Sequence, residues 1–73
     1  MRSKLKELRI AGRHTVDDMA SRFNISSSYY YKIESGTRNP TMNLAKNISD
    51  FFNKEIGEIF FTHAVDDSSK ELA

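Results

Sequence analysis

Reactive chemistry has little to work with in this sequence. There is no cysteine, which removes thiolate zinc sites, disulfide frameworks and cysteine nucleophiles together and fits a reducing cytoplasm. The two histidines, His14 and His63, stand at opposite ends of the chain with no ligand spacing between them. The acidic pairs Asp17-Asp18 and Asp66-Asp67 read as a helix start and a solubilising tail, and the glycines fall at turns or late in a helix rather than in a phosphate-cradling loop. No metal, no cofactor and no enzymatic activity is expected. What remains is chemistry without bond making, carried by hydroxyls, amides and cations.

The cations are unevenly placed. Residues 1–40 hold eight Lys or Arg against four Asp or Glu, a net +4, whereas residues 41–73 hold three against six, a net −3, so the chain totals +1. A basic front and an acidic rear would orient the molecule toward a polyanion, although ordinary scatter of surface charge gives the same pattern.

The residues that meet a partner must be held by helices, because the apolar spacing is helical throughout. Leu5 and Leu8 mark a first helix, with Gly12 as its stop. Thr15 and Asp18 form a capping pair ahead of Val16, Met19, Ala20 and Phe23, which fall on one stripe. Asn24 tolerates the left-handed backbone that ends a helix. Ser26 or Ser27 caps the next helix, which runs through Tyr30 and Ile33 to Gly36. Pro40 keeps the loop from Thr37 non-helical. Thr41 caps a fourth helix with Leu44, Ala45, Ile48, Phe51 and Phe52 inward, and a short fifth helix turns Ile56, Ile59 and Phe60 inward. An apolar content of 38% is too high for a disordered chain. A chain of 73 residues is nevertheless near the lower limit for an unaided core, so helix packing or dimerisation is expected to help. No stretch approaches the ~20 apolar residues of a membrane span, and no apolar run follows the basic N-terminus, so a cytoplasmic protein without signal peptide is expected.

Helices two and three have the make-up of a helix-turn-helix unit. Ala20 is small enough for a close crossing, Asn24 suits the turn, and Ile25 can anchor it. The second helix of the unit is apolar behind, at Tyr30 and Ile33, and polar in front, at Ser27, Ser28, Tyr31 and Lys32. Three consecutive tyrosines span about 200° of a helix and cannot all enter one core. Tyr30 is therefore assigned to the core and Tyr29 and Tyr31 to partly exposed positions.

The run Thr15-Val16-Asp17-Asp18-Met19-Ala20, then Ile25-Ser26, then Ile33-Glu34-Ser35-Gly36-Thr37-Arg38-Asn39-Pro40 resembles the phage repressor and Cro (XRE) family of regulators. The similarity extends from Leu5 to about Phe61. It implies an all-α, five-helix, lambda-repressor-like domain over residues 1–62, with a positioning helix at 16–23 and a recognition helix at 27–35. Residues 63–73 are expected as a mobile acidic tail. It also implies an Arg9–Glu34 ion pair beneath the motif, where the alternative is two solvated charges.

The function implied by the resemblance is that of a transcriptional regulator, a repressor, which binds a palindromic operator in double-stranded DNA as a homodimer. The family positions that read bases correspond to Ser27, Ser28, Tyr31 and Lys32; Lys32 could reach a guanine or a phosphate. Phosphate contacts are expected from Thr37, Arg38 and Asn39 and from the backbone N–H at Val16, which stands where the family often has Gln. Arg13 or His14 could replace that glutamine, and Tyr29 either bonds a phosphate or covers the turn. Ile56, Ile59, Phe60 and Phe61 are expected at the dimer interface, the alternative being that Phe60 and Phe61 only close the monomer core. The competing function is an antitoxin or other interaction module of the same fold, acting through a regulatory protein partner.

Overall fold

A computed structural model describes residues 2–60 of the chain. They form five helices and no strand: α1 (Ser3–Ala11), α2 (Val16–Arg22), α3 (Ser27–Ser35), α4 (Met42–Phe51) and α5 (Ile56–Phe60). The assignments of a mobile tail at 63–73 and of an interface role to Phe61 lie outside the described residues.

Three helix starts are set by hydroxyl caps, each supplying an acceptor to a first-turn N–H that has no partner within its helix. Thr15 Oγ1 accepts from Asp18 N at 3.0 Å while Asp18 Oδ2 accepts from Thr15 N at 3.0 Å, a reciprocal capping box on α2. Ser26 caps α3 by accepting from Tyr29 N at 3.0 Å, and Thr41 caps α4 by accepting from Leu44 N at 3.1 Å.

One C-terminal device closes α1, α2 and α4. The residue after the cap enters the left-handed region, at Arg13 (φ 62°), Asn24 (φ 59°) and Asn53 (φ 58°). Its N–H donates three residues back, and the next N–H donates five residues back: His14 to Arg9, Ile25 to Ala20, Lys54 to Ser49. These are Schellman closures, which satisfy carbonyls the helix leaves open. The helix stops where expected, with Gly12 as its C-cap, but the left-handed residue of the closure is Arg13 rather than the glycine. Gly12 is needed for space, since a Cβ there would stand 2.8 Å from His14 Cδ2. The positioning helix likewise ends at Arg22, with Phe23 as its cap. Only α3 ends on a left-handed glycine, Gly36 at φ 90°.

The core takes Leu5 from α1, Met19 and Ala20 from α2, Tyr30 and Ile33 from α3, Leu44, Ala45 and Ile48 from α4, and Ile59 and Phe60 from α5. Tyr30 is fully buried at its centre. Phe23, Phe51, Phe52 and His14 form an edge-to-face aromatic group, with ring centroids 5.0 to 5.9 Å apart. The Arg22 guanidinium lies 4.4 Å over Phe51, so that cation is committed to packing.

At the end of the bundle Ile59 and Phe60 are only 2% and 9% exposed within the single chain, turned inward as the helical spacing led one to expect. The cause is geometric: α5 has only five described residues, and α1 and α4 cover its apolar side. Ile56 is half-buried against the same core.

Candidate nucleic-acid interface

The site starts from a buried ion pair. Arg9 Nε donates to Glu34 Oε2 and Arg9 Nη2 to Glu34 Oε1, both at 2.9 Å, in a two-pronged pair joining α1 to the last turn of α3. Arg9 Nη1 also donates to the His14 carbonyl at 3.1 Å, so one guanidinium ties α1, α3 and the loop before α2. The hydrogen bond to Glu34 raises the Arg9 pKa above its ordinary value against the opposing effect of burial. Only 3% of the Glu34 side chain is exposed. Beside it, burial and then the Glu34 carboxylate push the Tyr30 phenol well above its ordinary range, so it stays neutral.

On this base, the rear of α3 is fixed and its front is free. Tyr30, Ile33 and Glu34 are buried, whereas Ser28, Tyr31 and Lys32 are exposed, Tyr31 by 57%. The turn that sets the angle of α3 is held by Asn24 N donating to the Ser21 carbonyl at 3.2 Å and Ile25 N to the Ala20 carbonyl at 2.9 Å. Ala20 is buried at the crossing and Ile25 packs on the core, the two requirements that keep the helices of such a unit close.

Ser27 stands differently from its neighbours. It is half-buried, and its hydroxyl donates to Asp17 Oδ1 across the α2–α3 turn. The sequence offered Asp17 only as a helix-start charge, and no local spacing shows that a residue ten positions earlier reaches Ser27. The hydroxyl proton being taken, Ser27 presents lone pairs outward, and Asp17 adds a negative charge beside the exposed face.

The loop after α3 is pre-formed. Arg38 N donates to the Lys32 carbonyl at 3.1 Å, and Thr37 Oγ1 shares a hydrogen bond of 2.9 Å with Ser35 Oγ. Tyr29 packs partly buried against the core, with the Arg38 guanidinium 5.8 Å over its ring, a cation–π contact that aims Arg38. Arg13 is exposed on its own turn, and His14 is partly buried against Phe51.

A helix crossed closely over a second helix, with the second one's outer face polar and free, defines a helix-turn-helix module. A helix-turn-helix family model matches residues 5–59. The chain is 35% identical over 60 residues to an uncharacterised HTH-type transcriptional regulator of Methanocaldococcus jannaschii, which covers 82% of this chain and 91% of that one. It is 33% identical over 60 residues to an uncharacterised HTH-type transcriptional regulator of Archaeoglobus fulgidus, covering 82% and 84%. No solved structure matches the chain significantly. The chain belongs to the XRE-type helix-turn-helix family, a class of DNA-binding transcription regulators. Among the described residues no helix is long and apolar enough to cross a membrane, and no group of three or more potential metal ligands occurs.

Proposed function

We propose that this chain is a sequence-specific regulator of transcription, acting as a repressor, which reads a palindromic operator in the major groove of double-stranded DNA as a homodimer. The observation that carries the reading is the two-sidedness of α3, whose rear is locked by Tyr30, Ile33 and the Glu34 pair while Ser28, Tyr31 and Lys32 stand free. A helix held from behind can enter a groove without losing its angle. Ser27 and Ser28 open the helix and meet base edges first, Ser27 as an acceptor because Asp17 holds its proton. Lys32 and Tyr31 follow one turn later.

Thr37, Arg38 and Asn39 hold the adjacent phosphates, together with Arg13 and the Tyr29 hydroxyl. The Val16 N–H contributes least. α2 has only seven residues, and its positive end already faces Asp17, Asp18 and the Thr15 hydroxyl.

Selection from a randomised duplex library, followed by anisotropy titrations in increasing salt, tests this reading. A two-fold symmetric winner bound at least ~10³ tighter than scrambled DNA is expected. Asymmetric winners would remove the homodimer, and equal binding of winner and scramble would remove sequence reading. A second reading, an antitoxin-like module bound to another protein, draws on the exposure of Tyr31, Ile10 and Met42. DNA affinity that appears only when a co-encoded protein is added would favour it.

A further inference from the structure

Arg2, which the sequence did not single out, reaches from the start of the chain to the end of α3 and the loop after it. Its backbone N–H donates to the Glu34 carbonyl at 2.9 Å. Its Nη1 donates to the Ile33 carbonyl at 2.8 Å and to the Arg38 carbonyl at 3.4 Å. Its Nη2 donates to Asn39 Oδ1, and its guanidinium lies 5.4 Å from the centre of the Phe60 ring. One side chain therefore closes the end of α3, grips the loop that follows, and rests on the last turn of the core.

Two consequences are chemical. The carbonyls of Ile33, which also accepts from the Gly36 N–H, and of Glu34 belong to the last turn of α3, the negative end of the helix, which attracts a cation. A guanidinium has only donors, so the Asn39 atom that meets it must be the oxygen. Asn39 is exposed, and its Nδ2 makes no hydrogen bond with the described residues. With its oxygen engaged by Arg2, the amide of this exposed residue keeps both of its donors free, which suits an anionic oxygen.

We propose that Arg2 is a positioning residue for the DNA-backbone contact, which acts by holding Asn39 donor-outward and locking the loop to the end of α3. The proposal rests on the DNA-binding reading above. Phosphate contacts do not depend on sequence, so a random 20-base-pair duplex at low salt serves as the probe. Anisotropy is measured for wild type, Arg2→Lys, Arg2→Ala, Asn39→Ala and the double variant Arg2→Ala/Asn39→Ala, at a temperature where circular dichroism shows each folded.

Arg2→Ala and Asn39→Ala should each weaken binding about tenfold, the size of one charge-assisted hydrogen bond. The double variant should lose no more than either alone, because Arg2 works through Asn39. Arg2→Lys should lose nearly as much as Arg2→Ala, since lysine keeps the charge but not the fork. Wild-type affinity in Arg2→Lys would show that charge alone matters, and losses that multiply to about 100-fold would show two independent residues. Either result overturns the proposal while leaving DNA binding intact, whereas a wild type that ignores the duplex overturns both. Should Arg2→Ala not fold, Arg2→Lys/Asn39→Ala completes the same cycle. The Asn39 side-chain amide resonances, which should move in Arg2→Lys, then report the lost orientation directly.

Discussion

Glu34 carries the largest single consequence in the structure. It is a nearly buried carboxylate whose two oxygens are both taken by Arg9. Truncating one member of such a pair leaves the other charge uncompensated, so Glu34→Ala should cost about 3–5 kcal/mol. Urea denaturation checks this, and an unchanged midpoint would mean that the pair contributes nothing. Ser49 makes the opposite case. It is 1% exposed and its hydroxyl has no partner among the described residues, on a helix where alanine is the better former. Ser49→Ala should therefore stabilise by about 1 kcal/mol, removing an unpaired polar atom and a weak helix residue together. A thermal midpoint several degrees higher is the expected reading.

At the scale of elements, the turns set how α2 and α3 face outward. The Schellman closure after α1 forces an arginine into a region that costs L-residues roughly 1–2 kcal/mol. Arg13→Gly should recover about 1 kcal/mol of stability. Arg13 is also a proposed phosphate contact, so the same variant should lose about one unit from the slope of log affinity against log salt. A more stable protein with an unchanged slope would reject the contact and keep the structural account. The capping box of α2 brings a pH dependence. Hydrogen bonds, first from the Thr15 backbone N–H, lower the Asp18 carboxyl from its ordinary value of 3.8. A carboxyl with a depressed folded pKa stabilises the fold above its unfolded pKa and loses that effect as pH falls through the folded one. Comparing thermal midpoints from pH 5 down to pH 2.5 should show wild type losing more than Asp18→Asn below about pH 4. Parallel curves would mean that the cap does not titrate with folding.

For the whole molecule, the proposal is a pair of recognition helices spaced by one turn of DNA, about 34 Å. With Ile59 and Phe60 inside the monomer, the proposed dimer would have less apolar surface at that end than the spacing of Ile56, Ile59, Phe60 and Phe61 suggested. A weak association strengthened by DNA follows, since two short helices on one duplex bind as one unit. Sedimentation should show monomer at low micromolar concentration and two chains per operator in the complex. One chain per operator at saturation would remove the symmetric arrangement.

The order of the helices and most of their ends could be read from local spacing: Thr15 three residues before Asp18, Thr41 before Leu44, Gly36 after Ser35, while the choice between Ser26 and Ser27 as the cap of α3 came from the structure. The motif around Glu34 and Arg38 then carried the family and with it the partner of Arg9. Tertiary structure alone decided what reaches across sequence. Asp17 holding the Ser27 hydroxyl, Arg2 bridging to Asn39, and Gly12 making room for the His14 ring have no periodic signature. Periodicity reports which face of a helix is apolar, but not what covers it. The spacing turned Ile59 and Phe60 inward and also made them candidates for a dimer contact; the packing of α5 on α1 and α4 showed what covers them in the single chain.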